Sequence, residues 1–579
     1  MTNQIKLTLN PGSSFLLGGV TVNPAYDSVT ALDENNLPYL TATALKGALR
    51  IEFEALVRGI GEEKLCDFDT DIKGCTTCLS CRLFGGGNKE GKLRFNAAFL
   101  ENPDEVLPLK VRQDLLEKGI REGVSISRTL GKAKEKAYFT KLAFPNMKKI
   151  KEISFTTGID IRQELVETER KYLEMFLKYI ERTGIFMGAR KSVGLGYFTL
   201  RSEIPGKFEK PGPVDTSHQE MKLFRITLDT LEPLLVGNIK NRYIIDTLPY
   251  IPASTLGGTI GFQLKEYGVD DSLLKALFME KKSFSTFNCY LETPYPVPMS
   301  QRKPKGKAGP VKDILVPEYI LSQAIGQGKY GDAAPLFKAL YKENNLRPVL
   351  ICTQPETFYN AKVAIGRELQ KSGESLLYSM ELIPKGSKFQ GFIAGEEWAV
   401  NALEQIGELR MGGKRTRGFG RTKITMEKAD VKEIMDQETD LDSFLKEMAK
   451  EFSVEIPVDQ RFFALDLISD FTLPEEVPAG NRVFKRYMEE TLFKGMDIKI
   501  EKSFAGLTLR GGYDFKYKKS KPMMERIGAG STFLVSVPLN KETDFLEKLR
   551  AITRNSEKHQ WDSTLLFRLN NQEHIEIWR

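Results

Sequence analysis

"LPYLTATALKGALR" occupies residues 37–50, and "LPYIPASTLGGTIG" occupies residues 248–261. Both read Leu-Pro-Tyr, an apolar residue, a few small residues, Leu, then glycine. Each is a turn entering an amphipathic helix, with Thr41, Thr43 or Ser254 as candidate N-caps. A pattern that recurs at this distance signals an internal repeat. A second pair supports it. "MGARKSVGLGYF" (187–198) matches "MGGKRTRGFGRT" (411–422), and "ERIGAGSTFLVSV" (525–537) is a weaker third relative. A helical pattern precedes each of the first two, at "RKYLEMFLKYIERTG" (170–184) and "EEWAVNALEQIG" (396–407).

Working outward, each unit opens on a strand ("QIKLTL", "LFRITL", "FFALDL") and closes on a glycine-rich basic loop and a strand. Mixed strands and helices without strict βαβ alternation predict an α+β architecture of tandem ferredoxin-like folds. The expected division is 1–202, a Pro/Gly-rich linker at 203–221, a unit at 222–426, a charged helical connector at 427–453, and a last unit at 454–579. A chain of 579 residues is too long for one core, which agrees with this count.

Composition narrows the class. Hydrophobic residues make up 41% and charged residues 28%, as in a soluble globular protein. No apolar run reaches the ~20 residues of a membrane span. The start lacks the basic-then-apolar order of a signal peptide, so a cytoplasmic setting without membrane partners is expected. Net charge is +7, a mild basic bias compatible with nucleic acid.

In such a setting cysteines stay reduced, which favours metal over disulfide. Four of the six cysteines, Cys66, Cys75, Cys78 and Cys81, read C-x8-C-x2-C-x2-C. A C-x2-C pair brings two sulfurs to one tetrahedral ion, and Cys66 completes the set by folding back. Structural Zn(II) is the expected occupant; an iron–sulfur cluster or an unmetallated loop are the other readings. Four thiolates fill a tetrahedral site and leave no position for a catalytic water.

The glycine loops have a plain reading as turns and caps, where glycine supplies positive φ. Their recurrence with Arg and Lys favours contact with phosphates, glycine admitting main-chain N–H groups and the cations neutralising charge. The candidate phosphate contacts are Lys46 and Arg50, spaced four apart on one helix face, then Arg190, Lys191, Ser192, Gly194 and Gly196. In the second unit they are Lys414, Arg415, Arg417, Gly418 and Gly420. A solvated helix face is the bland alternative for Lys46 and Arg50. "RKPKGKAGPVK" (302–312) is either an RNA clamp or an ordinary basic loop.

These stretches, taken in order, resemble the RAMP superfamily of CRISPR effector proteins, which are built from RRM-like ferredoxin folds. "LLGGVTVNPAYDS" (16–28), "LPYLTATALKGALR", "CLSCRLFGGG" (78–87), "KLRFNAAFL" (92–100), "SISRTLGKAKEKAYFTKLAF" (125–144) and "GARKSVGLGYF" (188–198) resemble the Cas-seven-like backbone subunit of type III (Csm/Cmr) complexes. "LPYIPASTLGGTIGF" (248–262), "FNCYLETPYPVPMS" (287–300), residues 358–395, "MGGKRTRGFGR" (411–421) and the 510–533 stretch resemble the Cas-five-like subunit of the Csx-ten kind. The resemblance implies a natural fusion of two neighbouring subunits. The first part would grip the CRISPR RNA spacer, the second would hold its 5′ handle, and a thumb-like hairpin is expected within 103–145, with Phe139 or Phe144 as candidate wedges and buried core as the commoner fate of either aromatic. Implied partners are CRISPR RNA, complementary target RNA, and the backbone, large and small effector subunits.

In catalytic backbone relatives, one aspartate before the Leu-Pro-Tyr element cleaves target RNA with Mg(II) or Mn(II). Asp27, eleven residues before Pro38, matches its place, and Asp33 is the runner-up. Eleven residues before Pro249 stands Asn238, and Asp246 is too close to Pro249 to play the same part, so the second unit is expected to bind only. RNA carries its own nucleophile, the 2′-OH, so one carboxylate suffices if the strand is held in line. A non-catalytic guide-binding scaffold is the alternative. A stand-alone processing endonuclease is a third reading, but such relatives typically use histidine, and only His218, His559 and His574 are present. No P-loop motif occurs.

Overall fold

The computed structural model describes the chain apart from residues 1–2, 19–27, 34, 36, 67–74, 87–88, 107–118, 127–128, 130–131, 145–152, 207, 209–214, 218, 241–243, 282, 305–310, 343–345, 351, 356, 366–371, 416–417, 436–439, 473–480, 515–518, 556–557, 560–562 and 577–579. Asp27 and Arg417 therefore lie outside the described residues.

The opening strand Gln4–Pro11 alternates as a half-buried strand should. Ile5, Leu7 and Leu9 are buried while Lys6 is exposed. Its neighbours are Phe155–Ile161 on one side and Tyr197–Glu203 on the other, both antiparallel, with Leu93–Phe95 beyond Phe155–Ile161. Helix α1, Ala42–Ile60, starts where the quoted sequence predicts: the Thr41 side chain accepts from the Ala44 amide. Leu45, Leu49, Phe53 and Val57 form its buried face, and Gly61, at φ 79°, closes it. Phe53 meets Phe84 and Phe176, the latter on helix Glu167–Thr183, so both helices cover the same sheet face.

The order repeats. In the second sheet, Phe284–Thr286, Lys388–Glu396, Met221–Thr230 and Arg421–Lys428 lie side by side, with helices Ala253–Glu266 and Glu397–Ile406. Pro252, and not Ser254, is the N-cap of the former. In the third sheet, Lys499–Phe504, Thr532–Pro538, Gln460–Leu467 and Phe567–Leu569 take the same order, with helices Asn481–Tyr487 and Glu542–Asn555. In all three the first strand of the fold is central, flanked by the third and fourth, with the second outermost. This is the β-α-β-β-α-β arrangement of ferredoxin-like folds. Among the described residues no helix is long and apolar enough to cross a membrane.

Each fold also carries a hairpin between its second and third core strands: Ile120–Ile126 with Ala133–Leu142, Phe358–Ile365 with Ser372–Leu382, and Leu507–Asp514 with Lys519–Ile527. An isolated bridge at or just past the end of each hairpin ties it to the residue four places after the first strand: Phe15 with Phe144, Leu234 with Ile383, and Phe471 with Ile527. Phe144 is core, as expected of a buried aromatic, its ring tilted 30° against Phe15 at 5.1 Å.

These bridges correct two sequence expectations. "IGAGSTF" (527–533) falls in the place of "IPKGSKF" (383–389), before the third core strand, so the third glycine loop does not close its unit. The counting that paired Asp27 with Asn238 also fails. Ser28 pairs in parallel with Lys141, and Ile245 with Met380, each three residues before its bridge residue. The residue before Ser28 is thus matched by Ile244. The connection to the Leu-Pro-Tyr turn is shorter in the second fold, which throws the count off. The conclusion that no acid stands there is unchanged.

The folds are joined alike. The Ala97 amide donates to Glu232 Oε1 (3.0 Å), and the Asn288 amide donates to Ser469 Oγ (3.1 Å). Glu232 and Ser469 each stand two residues before their bridge residue. Lys385 Nζ sits 3.9 Å above the Phe99 ring, which stacks on Tyr39, while Ala529 packs against Tyr250 and Tyr290. Lys385 and Ala529 each stand two residues after theirs. One docking geometry therefore serves both joints. The connector is not a free tether: its helix Leu441–Glu451 buries Leu441, Leu445 and Met448 against Tyr319, Phe462 and Leu534.

Candidate metal centre and nucleic-acid interface

The cysteine segment folds back on itself, and helix α2, Leu79–Phe84, starts within it at Cys78. The four Sγ atoms lie within 4.8 Å of one another, with Cys66 at 3.7 Å from Cys81 and 3.8 Å from Cys78. Sulfurs bound at ~2.3 Å around a tetrahedral ion stand about 3.8 Å apart, so the set fits one cation. Main-chain amides already point at the sulfurs: Cys78 N to Cys75 Sγ at 3.1 Å and Cys81 N to Cys78 Sγ at 3.5 Å. At Cys75 burial works upward, yet the donors of Cys78 and Thr77 outweigh it and lower the thiol to about 6. Burial pushes Cys78 and Cys81 up.

Arg50 does not face outward with Lys46. It is buried, and its guanidinium spans three acceptors: Glu54 Oε1 (2.7 Å), the Gly85 carbonyl (2.7 Å) and Cys81 Sγ (3.4 Å). The expectation that it contacts RNA is corrected on this ground. Lys46 is half-buried, with Nζ 5.9 Å from the Phe95 ring centre.

The two paired glycine loops share the hydrogen bonds that close them. Met187 N donates to Gly196 O, and Met411 N to Gly420 O. Gly196 N reaches Ser14 O, and Gly420 N reaches Pro233 O. Arg190 and Lys414 both take φ 59°. Gly196 and Gly420, at φ 81°, are required by the loop itself, since a Cβ on either would stand 1.9 Å from the carbonyl oxygen of Met187 or Met411. Phosphate contact is not needed to explain them.

The surroundings of the loops differ. In the first, Arg190, Ser192 and Gly194 are exposed and Lys191 is half-buried, and space above Gly194 is open. The second is turned into the joint with the first fold. A Cβ on Gly418 would meet that of Ala42 at 2.1 Å. Arg415 is buried, 4.6 Å from the Phe262 ring centre and 3.6 Å from Glu90. Arg415 and Gly418 thus serve the joint, correcting their assignment to an open phosphate groove, while Lys414 remains exposed.

Around that joint stands a charge cluster the sequence did not announce. Arg410 pairs with Asp160 (2.8 Å) and Glu232 (3.3 Å) and donates to Asn96. Arg162 and Arg94 share Glu266, and Arg162 also pairs with Glu90. These residues sit far apart in sequence with no common motif, so only the docked folds reveal them. Asp33 Oδ1 accepts from the Asn35 and Leu37 amides, both at 2.9 Å, which makes it a turn-forming acid.

The sequence model of the RAMP superfamily matches residues 11–199 and 227–423. No curated protein matches the chain. Similar solved structures include a chain of type III-B Cmr-beta bound to cognate target RNA and AMPPnP, with 17% identity and a TM-score of 0.29, covering 58% of this chain and 93% of that one. A chain of Cmr-beta bound to cognate target RNA alone has 16% identity and a TM-score of 0.28, covering 56% and 88%. A chain of its apo state has 16% identity and a TM-score of 0.22, covering 35% and 97%.

Proposed function

The chain belongs to the RAMP superfamily, and from that premise we propose that it is a subunit of a type III CRISPR RNA-guided effector complex. Residues 1–202 act as the Cas-seven-like part and grip the guide spacer. Residues 222–426 and 454–579 act as the Cas-five-like part and hold the 5′ handle, with 203–221 as linker and 427–453 as packed connector. The observation that carries this reading is the first glycine loop. Its Arg190, Ser192 and Gly194 are open to solvent, whereas Arg415 and Gly418 of its twin are buried at a joint. A crest that carries Arg190 and Lys191 and ends on glycine suits a ribose-phosphate backbone.

Target cleavage falls to Asp27, whose neighbours Ser28–Val29 pair with the end of the 120–142 hairpin. That hairpin acts as the thumb that splays the paired strand and so exposes a target phosphate. Asp27 takes the proton of the attacking 2′-OH or holds Mg(II) or Mn(II) beside the phosphate, an ion that would supply charge stabilisation. The cysteine set holds structural Zn(II), through Cys66, Cys75, Cys78 and Cys81, and pins the 66–85 segment to α1. Asp27→Ala tests the catalytic role. The assembled complex is expected to keep its guide and its target affinity and to lose at least about 100-fold in cleavage rate. Undiminished cleavage would leave the scaffold role and remove the enzymatic one.

A further inference from the structure

Arg50 sits where a helix, a turn and a metal-ligand sulfur converge. Its Nε meets Glu54 and its Nη2 Cys81 Sγ, both buried, and its Nη1 the half-buried Gly85 carbonyl. Glu54 in turn accepts from Ser80 Oγ at 2.5 Å, and Ser80 precedes Cys81. Arg50 is 8% exposed, Glu54 4% and Ser80 1%, so the three form a closed polar knot between α1 and α2. Among the described residues Glu54 is the carboxylate paired with the guanidinium, and its Nη2 is directed at the Cys81 sulfur. Four thiolates around a divalent ion carry a net charge of −2, and a guanidinium N–H directed at one sulfur offsets part of it.

We propose that Arg50 is the positioning residue of the metal centre: it donates to Cys81 Sγ, orients that ligand, and couples ion loading to helix α1. This rests on the metal reading of the four cysteines. It also means that Arg50 is spent on the centre and takes no part in guide binding, although it shares a helix with Lys46.

The test uses the full chain loaded with Co(II), whose thiolate-to-metal absorption band reports on the sulfurs. Arg50→Ala is expected to weaken Co(II) affinity, measured by chelator competition, by about 10- to 100-fold. It should also shift the band to lower energy, because an unbonded thiolate gives up its electrons more easily. Arg50→Lys keeps the charge but not the three-way fork and should fall between the two; it stands in if the alanine variant does not fold. Ser80→Ala, which removes a bond to Glu54 and none to sulfur, should leave the band in place. Wild-type affinity and an unmoved band in both Arg50 variants would overturn the proposal. So would a fall of about 0.7 in the salt slope of single-stranded RNA binding on Arg50→Ala, the signature of one lost phosphate contact. Failure of the wild-type chain to bind Co(II) at all would instead overturn the metal reading itself.

Discussion

Gly194 and Gly196 lie two residues apart, share φ angles of 83° and 81°, and face different surroundings. Alanine at Gly194 meets open space, so it costs only the left-handed backbone penalty of about 1–2 kcal/mol. Alanine at Gly196 adds a Cβ 1.9 Å from a main-chain oxygen that cannot move aside, and should destabilise by several times as much. Chemical denaturation of the two variants checks the ranking; equal losses would show that the loop closure is not as described. His574 supplies a second test. It is fully buried between Asp313 (2.9 Å) and Asp466 (3.1 Å). Burial opposes its charge, but the carboxylates of Asp466 and Asp313 prevail and raise it to about 10. A raised folded-state pKa means that stabilisation is fully present below the unfolded value near 6.5 and is lost as pH rises through about 10. Unfolding free energy should therefore fall by up to about 1.4 kcal/mol per pH unit across that window. In His574→Asn this component of the slope should vanish.

At the scale of elements, periodicity was a sound guide. The alternation of Gln4–Pro11, the apolar face of α1 and the helix over 167–183 all follow from spacing, because burial on one face leaves that mark. Direction within a face was not readable. Lys46 and Arg50 share a helix side, yet one stays half-exposed and the other turns inward, since Glu54, Gly85 and Cys81 supply acceptors that only the folded chain brings together. The twin glycine loops misled for the same reason. Their sequences encode one backbone shape, whereas docking decides which of them is open. The Arg410 cluster at the joint yields a prediction. Glu232 is 0% exposed, and removing its partner by Arg410→Ala strands a buried carboxylate, at a cost of about 3–5 kcal/mol. Adding Glu232→Gln should recover part of the loss in a double-mutant cycle. Simple additivity would show that the two buried side chains are not coupled.

For the whole molecule, three ferredoxin-like folds are docked in sequence by one repeated geometry, in which residues two places either side of a shared bridge meet the preceding fold. Family membership was legible in the ordered motifs of the first two folds. The third carries the same strand order with little local signal, so its likeness lay in topology, where a single sequence is silent. Three folds docked in this way, with a loop crest open at the leading fold, fit the proposed role of tracking a polyanion. The most direct check is to purify the chain with its native assembly and sequence the RNA that comes with it. The expected result is short transcripts of varied body sharing one uniform 5′ segment, at a fixed ratio to the protein. Preparations free of such RNA, or carrying only random cellular fragments, would contradict the account.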